Sequence, residues 1–247
     1  MSSTAHVSLI NSSLTSLSEI PLHLRHEGVQ SLNLHANSLT GLMVGAGFVN
    51  KMKEEQSGEK TVVAQAFDSR GRKHTVACFH CMKELNLSSN RLHLHQQEAN
   101  SNKMSSPMSI SLLGLTPNLV QLDLSANFMA GLQELLRLAP PLQHLKVLNL
   151  SYNNLEALDG VPKSFPNVEE LNVKGNKIAL LERLLVLGGC RRLAELTMQI
   201  GKPKRDEMQE SNPVCLKEGY VAAGACVAHT DRQTCRQADT DDFSSVF

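Results

Sequence analysis

Five stretches of this chain share one spacing, and that repetition constrains the fold more than any other feature. They are Leu32-Asn-Leu34-His-Ala-Asn37, Leu85-Asn-Leu87-Ser-Ser-Asn90, Leu122-Asp-Leu124-Ser-Ala-Asn127, Leu148-Asn-Leu150-Ser-Tyr-Asn153 and Leu171-Asn-Val173-Lys-Gly-Asn176. An apolar residue stands three places before the first Leu of each: Val29, Met82, Leu119, Leu145 and Val168. Another follows two places after each Asn: Leu39, Leu92, Met129, Leu155 and Ile178. Ordered copies with this many agreeing positions predict one small unit, repeated and stacked on itself.

The alternation within each copy reads as a short strand with one apolar face. Leu34, Leu87, Leu124, Leu150 and Val173 are expected inside, on top of one another. An Asn side chain both donates and accepts. At Asn37, Asn90, Asn127, Asn153 and Asn176 it is expected to satisfy buried backbone groups of an adjacent turn. Successive strands then pair in parallel along a concave face, and the chain returns over a convex one.

From Asn127 to Asn153 is 26 residues and from Asn153 to Asn176 is 23, each one coil long. From Asn37 to Asn90 is 53 and from Asn90 to Asn127 is 37, so these hold insertions or a degenerate coil. Gln133–Leu138 and Leu180–Leu187 carry Leu at helical spacing, with Gly188 and Gly189 expected to stop the second helix. Val7 to Leu9 with Leu14, Leu17 and Ile20 reads as an incomplete first coil. Leu193 to Met198 reads as a sixth coil without its Asn.

The expected organisation is one repeat domain over 1–220, an unstructured insertion at about 44–78, and a terminal cap at about 193–220. In that cap Asn212 and Cys215 are structural, with Cys215 facing the last coil. A disordered tail follows over 221–247. The insertion and the tail each begin with Val after a well-formed element, as read-through or alternatively spliced sequence would.

Composition narrows the rest. Lys plus Arg equals Asp plus Glu at 24 each, which gives no electrostatic reason to expect nucleic acid or an anionic membrane as partner. Trp is absent and aromatics are 4%, so the core must be aliphatic. No signal-like start, lipidation motif or long apolar run is present, so a cytoplasmic protein is expected. Six Cys are then expected as thiols. The triplets at Asn11, Asn86 and Asn149 that match a glycosylation pattern read as coincidence. So does Cys78-Phe-His-Cys81, which lacks a second ligand pair for zinc. Lys202 to Arg205 with Arg191 and Arg192 reads as a solvated basic run. No catalytic, cofactor or metal constellation assembles, so no enzyme, cofactor or metal is expected.

The residue between the two central Leu of each copy must point away from the core. That column reads Asn33, Asn86, Asp123, Asn149, Asn172, Thr197. Its neighbours read Ser31, Glu84, Gln121, Val147, Glu170, Glu195 and His35, Ser88, Ser125, Ser151, Lys174, Gln199. Of these, Glu84, Asn86, Gln121, Asp123, Asn149, Glu170, Asn172 and Lys174 are the candidate protein-binding residues. Hydrophilic strand positions would look much the same, and the columns hold no aromatic residue of the kind that dominates interfaces.

The repeats resemble the intracellular type of leucine-rich repeat found in regulators of type-one protein phosphatase and in ciliary and centrosomal proteins. The expected fold is therefore α/β: a curved leucine-rich-repeat solenoid, with short helices or irregular turns on its convex side. Val29 to Asn37, Leu145 to Asn153, Ile178 to Leu187 and Asn212-Pro-Val-Cys215-Leu-Lys-Glu-Gly-Tyr220 are similar to the leucine-rich repeat and coiled-coil centrosomal proteins. That resemblance covers 7–42 and 79–220. It implies a non-catalytic scaffold at the centrosome or ciliary base, followed in the family by a coiled coil. No heptads follow Tyr220 in this chain. A phosphatase regulatory subunit is the alternative, expected to show acidic and aromatic residues down its concave columns.

Overall fold

The computed structural model describes residues 5–20, 28–45, 63–67, 72–93, 109–132, 140–179 and 181–199. In chain order its strands are β1 (Ala5–Ser8), β2 (Val29–Asn33), β3 (Met43–Gly45), β4 (Val63–Phe67), β5 (Lys73–Ala77), β6 (Glu84–Asn86), β7 (Ser109–Ser111), β8 (Gln121–Asp123), β9 (Val147–Asn149), β10 (Glu170–Asn172) and β11 (Glu195–Thr197). Seven of them form one sheet in the order β1-β2-β6-β8-β9-β10-β11, and every neighbouring pair is parallel. The register sets repeat Leu beside repeat Leu: Val7, Leu32, Leu85, Leu122, Leu148, Leu171 and Leu196 follow one another across the sheet. Leu34, Leu87, Leu124, Leu150 and Val173 lie fully buried behind it, in one aliphatic core that runs from Val7 to Leu196.

Each repeat Asn ties its own coil to the one before. Asn127 Oδ1 accepts from the Leu92 N–H at 3.0 Å. Its Nδ2 donates to the carbonyls of Leu87, Leu124 and Ser125. Asn90, Asn153 and Asn176 repeat the scheme, accepting from the N–H groups of Leu39, Met129 and Leu155. Asn37 accepts from Ser12 and Leu14 and donates to Leu9, so the incomplete first stretch is a genuine coil of the stack. Its convex turn, Leu17–Glu19, opens with Ser16 as cap, and Glu19 reaches back to the Ser16 N–H. Hydrogen bonds from the Thr15 side chain, and then from the Thr15 and Ser16 backbone, hold the Glu19 carboxyl below its usual range.

The residue before each Asn turns the chain through the left-handed region: Ala36, Ser89, Ala126 and Tyr152 have φ of 52–54°, and Gly175 has φ 70°. A non-glycine residue is held there at a cost. Ala126 is exposed and packs nothing, so Ala126→Gly is expected to raise stability by about 0.5 kcal/mol, the relief exceeding glycine's entropy cost. Ala126→Val should lower stability, because a β-branched residue fits this region worst. Urea denaturation of the pair beside the wild type checks both signs.

Within 44–78, where no structure was expected, the described residues 44–45, 63–67 and 72–78 hold strands. β3 pairs antiparallel with β7, setting Val44 opposite Ile110, and both are buried. β4 and β5 form an antiparallel hairpin with Val63 opposite Ala77, and Val76 joins the core. The hairpin packs against the 3-10 turn Leu112–Leu115. Long-range pairing supplies the burial that the local sequence pattern does not reveal.

The second expected helix is a 3-10 stretch, Leu181–Gly189, which ends at the second glycine as the sequence suggests. Gly189 is needed for space: a β-carbon there would lie 2.8 Å from Cβ of Pro162, in the short helix Val161–Ser164. The expected helix at 133–138, the cap residues Asn212 and Cys215, and the tail 221–247 lie outside the described residues.

Candidate protein-binding face

The open side of the sheet carries three columns of side chains, fixed by register. Ser31 stands beside Glu84, Glu84 beside Gln121, Gln121 beside Val147, Val147 beside Glu170, and Glu170 beside Glu195. The middle column runs Asn33, Asn86, Asp123, Asn149, Asn172, Thr197 in the same way.

The middle column is partly occupied with itself. The Oδ1 of Asn33, Asn86, Asp123, Asn149 and Asn172 each accepts from the N–H two residues on, at His35, Ser88, Ser125, Ser151 and Lys174. These turns end the strands and prepare the left-handed residue that follows. The Ser88 and Ser151 hydroxyls donate to the same oxygens of Asn86 and Asn149, and both serines are buried. They therefore do not project as the spacing suggests. Asn149 Nδ2 donates to Asp123 Oδ2 at 3.2 Å. His35 Nδ1 and Ser88 Oγ lie 2.7 Å apart. What stays free among the described residues to face a partner is chiefly amide N–H, carboxylate and the Thr197 hydroxyl.

Between β8 and β11 the curvature leaves a hollow of about 210 Å³, open to solvent, with Gln121, Asp123, Val147, Glu170, Glu195 and Thr197 on its wall. No Lys or Arg lines it. Among the described residues none of Glu84, Asp123, Glu170 and Glu195 is in an ion pair, whereas Glu169 is bridged by Lys146 at 3.0 Å. Lys174, one column further along, bounds the acidic stretch.

The columns hold no aromatic residue, but their rim does. Tyr152 and Phe128 are 56% and 57% exposed, in consecutive coils, beside the Asn that ends each strand. Tyr152 owes its position to two features. Its left-handed backbone turns it outward, and Gly175 in the next coil leaves room for its ring. A β-carbon on Gly175 would lie 2.7 Å from Tyr152 Cδ1. These aromatics occupy variable positions of the repeat, so periodicity could not single them out.

Elsewhere, Cys78 and Cys190 are buried thiols and Cys81 is half-buried. Among the described residues no group of three His, Cys, Asp or Glu gathers as a metal site. No described helix is long and apolar enough to cross a membrane.

Residues 143–197, the coils of β9 to β11, match the family model of leucine-rich repeats in two copies. Chaoptin of Tribolium castaneum is 34% identical over 84 residues, covering 34% of this chain and 10% of chaoptin. Among solved structures, internalin C2 of Listeria monocytogenes is 19% identical with a TM-score of 0.44, over 79% of this chain and 62% of that one. An internalin from the same organism (inlF) is 16% identical with a TM-score of 0.42, over 76% of this chain and 40% of that one. The Asn-tied repeats, the seven-stranded parallel sheet and the matched family model make this chain a leucine-rich-repeat solenoid.

Proposed function

We propose that this chain is a non-catalytic protein-binding module that works through its concave face. Leucine-rich-repeat solenoids are in general interaction modules, whose curvature offers an extended concave surface. The observation that carries the reading is a sheet face whose carboxylates are in no ion pair among the described residues, set with amide donors and edged by exposed aromatic side chains. Thr197→Trp puts bulk into the hollow without touching the Asn ladder. It should abolish capture of the chain's partners while leaving the melting temperature unchanged. Unchanged capture by a folded Thr197→Trp protein would remove the hollow from the binding surface.

The finer reading is a cytoplasmic scaffold of the centrosome or ciliary base, supported by the likeness of Val29–Asn37, Leu145–Asn153 and Asn212–Tyr220 to the centrosomal family. The fluorescently tagged full chain should then concentrate at centrioles, and a diffuse signal contradicts that location. A second reading, a regulatory subunit of a protein phosphatase, gains from Tyr152 and Phe128 beside the face acids. It requires the purified chain to bind the phosphatase catalytic subunit and alter its turnover.

A further inference from the structure

We propose that the hollow between β8 and β11 takes an extended, arginine- or lysine-bearing segment of a partner protein, with Tyr152 on its rim stacking on one of the cationic groups. The proposal deepens the binding-face reading and rests on it.

Charge comes first. Asp123, Glu170 and Glu195 face the hollow with no cation on its wall. Glu170 and Glu195 are register partners on adjacent parallel strands, so their backbones stand one strand spacing, ~4.8 Å, apart and their side chains rise side by side. Like charges so placed repel. A guanidinium or ammonium between them turns that repulsion into attraction, and an arginine fork suits paired carboxylates best.

Hydrogen bonding separates a peptide from a bare cation. The Oδ1 atoms of Asn149 and Asn172 are used by the turns behind them. The Asn172 amide, the Gln121 amide and the Thr197 hydroxyl remain to meet the carbonyls and N–H groups of an extended backbone. Val147, between Gln121 and Glu170, offers one apolar seat in the middle. A polyamine or a metal ion would leave the donors and this seat without use.

Tyr152 supplies the third element. Its ring lies along the rim beyond the Asn149 end of β9, more than half exposed and seated over Gly175. A tyrosine face next to an acidic surface favours a cation lying on it. Lys174, two residues beyond Asn172 and beside Tyr152, bounds the acidic stretch along the strand direction.

The test uses the full chain and fluorescein-labelled deca-arginine, with deca-glutamate and spermine as comparison probes, at about 150 mM salt to suppress loose attraction. Glu170→Gln with Glu195→Gln should weaken deca-arginine binding about tenfold and keep the melting temperature at or above wild type, since repulsion is relieved. Tyr152→Leu keeps bulk but loses the aromatic face, and should weaken binding about fivefold. Glu156→Gln with Glu182→Gln removes the same charge from exposed positions off the face, and should change binding less than about twofold. Equal losses in the two double variants, absence of deca-arginine binding, or spermine binding as tightly as the peptide each overturn the proposal. Were the double variant to melt below wild type, Glu195→Gln alone would decide it in the same assay. Partner capture separates the two levels of reading. If Thr197→Trp abolishes capture and the Glu170/Glu195 variant does not, the face binds but the cationic class is wrong. If neither affects capture, the face itself is wrong.

Discussion

Asn127→Leu is expected to destabilise the protein by about 3 kcal/mol, because it strands the buried Leu92 N–H and takes one donor from each of three carbonyls. Leucine keeps the branching of asparagine but carries two bulkier methyl groups, so some overpacking adds to the lost bonds. The Leu92 N–H loses its acceptor, and the carbonyls of Leu87, Leu124 and Ser125 lose a shared donor. Each buried group left unmatched costs about 1–3 kcal/mol, against a total stability of about 5–15 kcal/mol for a typical domain. Asn127→Asp is the sharper comparison. Its carboxylate still accepts from Leu92 but turns a charge toward three carbonyl oxygens, so it should destabilise at least as much as Leu. Guanidinium unfolding followed by circular dichroism reads both. A shift under about 0.5 kcal/mol for the Leu variant, the size of an ordinary surface change, would mean that the coils do not depend on this side chain.

Phe165→Ala is expected to cost a similar amount, about 3–5 kcal/mol, through a cavity instead of lost hydrogen bonds. In a core dominated by Leu, Phe165 is among the largest fully buried side chains, at 1% exposure. It closes the convex return between β9 and β10. Its N–H donates to the Val161 carbonyl and its own carbonyl accepts from Val168. Phe165→Leu refills most of the space and should cost about 1.5 kcal/mol or less. Denaturation midpoints of the two variants, compared at equal slope, check the ordering. Equal midpoints would show that the return segment collapses onto the gap.

The parallel sheet, its register and the buried column from Leu34 to Val173 were legible because one spacing recurs. Each recurrence must place the same residue against the same neighbour. The concave columns follow from strand alternation for the same reason. The 44–78 region was not legible. Val44 meets Ile110, and no local period marks two residues so far apart in the chain as partners. Gly189 ends its helix as read, but its second reason, the approach of Pro162 from another turn, left no mark in the sequence. Ser88 and Ser151 occupy outward positions yet are buried, because their hydroxyls fold back onto Asn86 and Asn149. Tyr152 and Phe128 were passed over, as aromatic residues at variable positions leave no signature until the turn shows where they point.

The asparagine ladder has a direction, and direction matters to a chain made from one end. Every rung reaches toward the coil synthesised before it. The Leu39 N–H waits for Asn90, 51 residues later. Leu92 waits 35 residues for Asn127, Met129 waits 24 for Asn153, and Leu155 waits 21 for Asn176. On the ribosome a nascent coil is therefore fastened by its successor; Leu14 waits 23 residues for Asn37, and after the long wait of Leu39 the intervals shorten. Loss of a coil at the trailing end leaves one amide hydrogen of its predecessor without its acceptor. Loss of one at the leading end takes the donors from an Asn Oδ1 and leaves its Nδ2 with the carbonyls of its own coil.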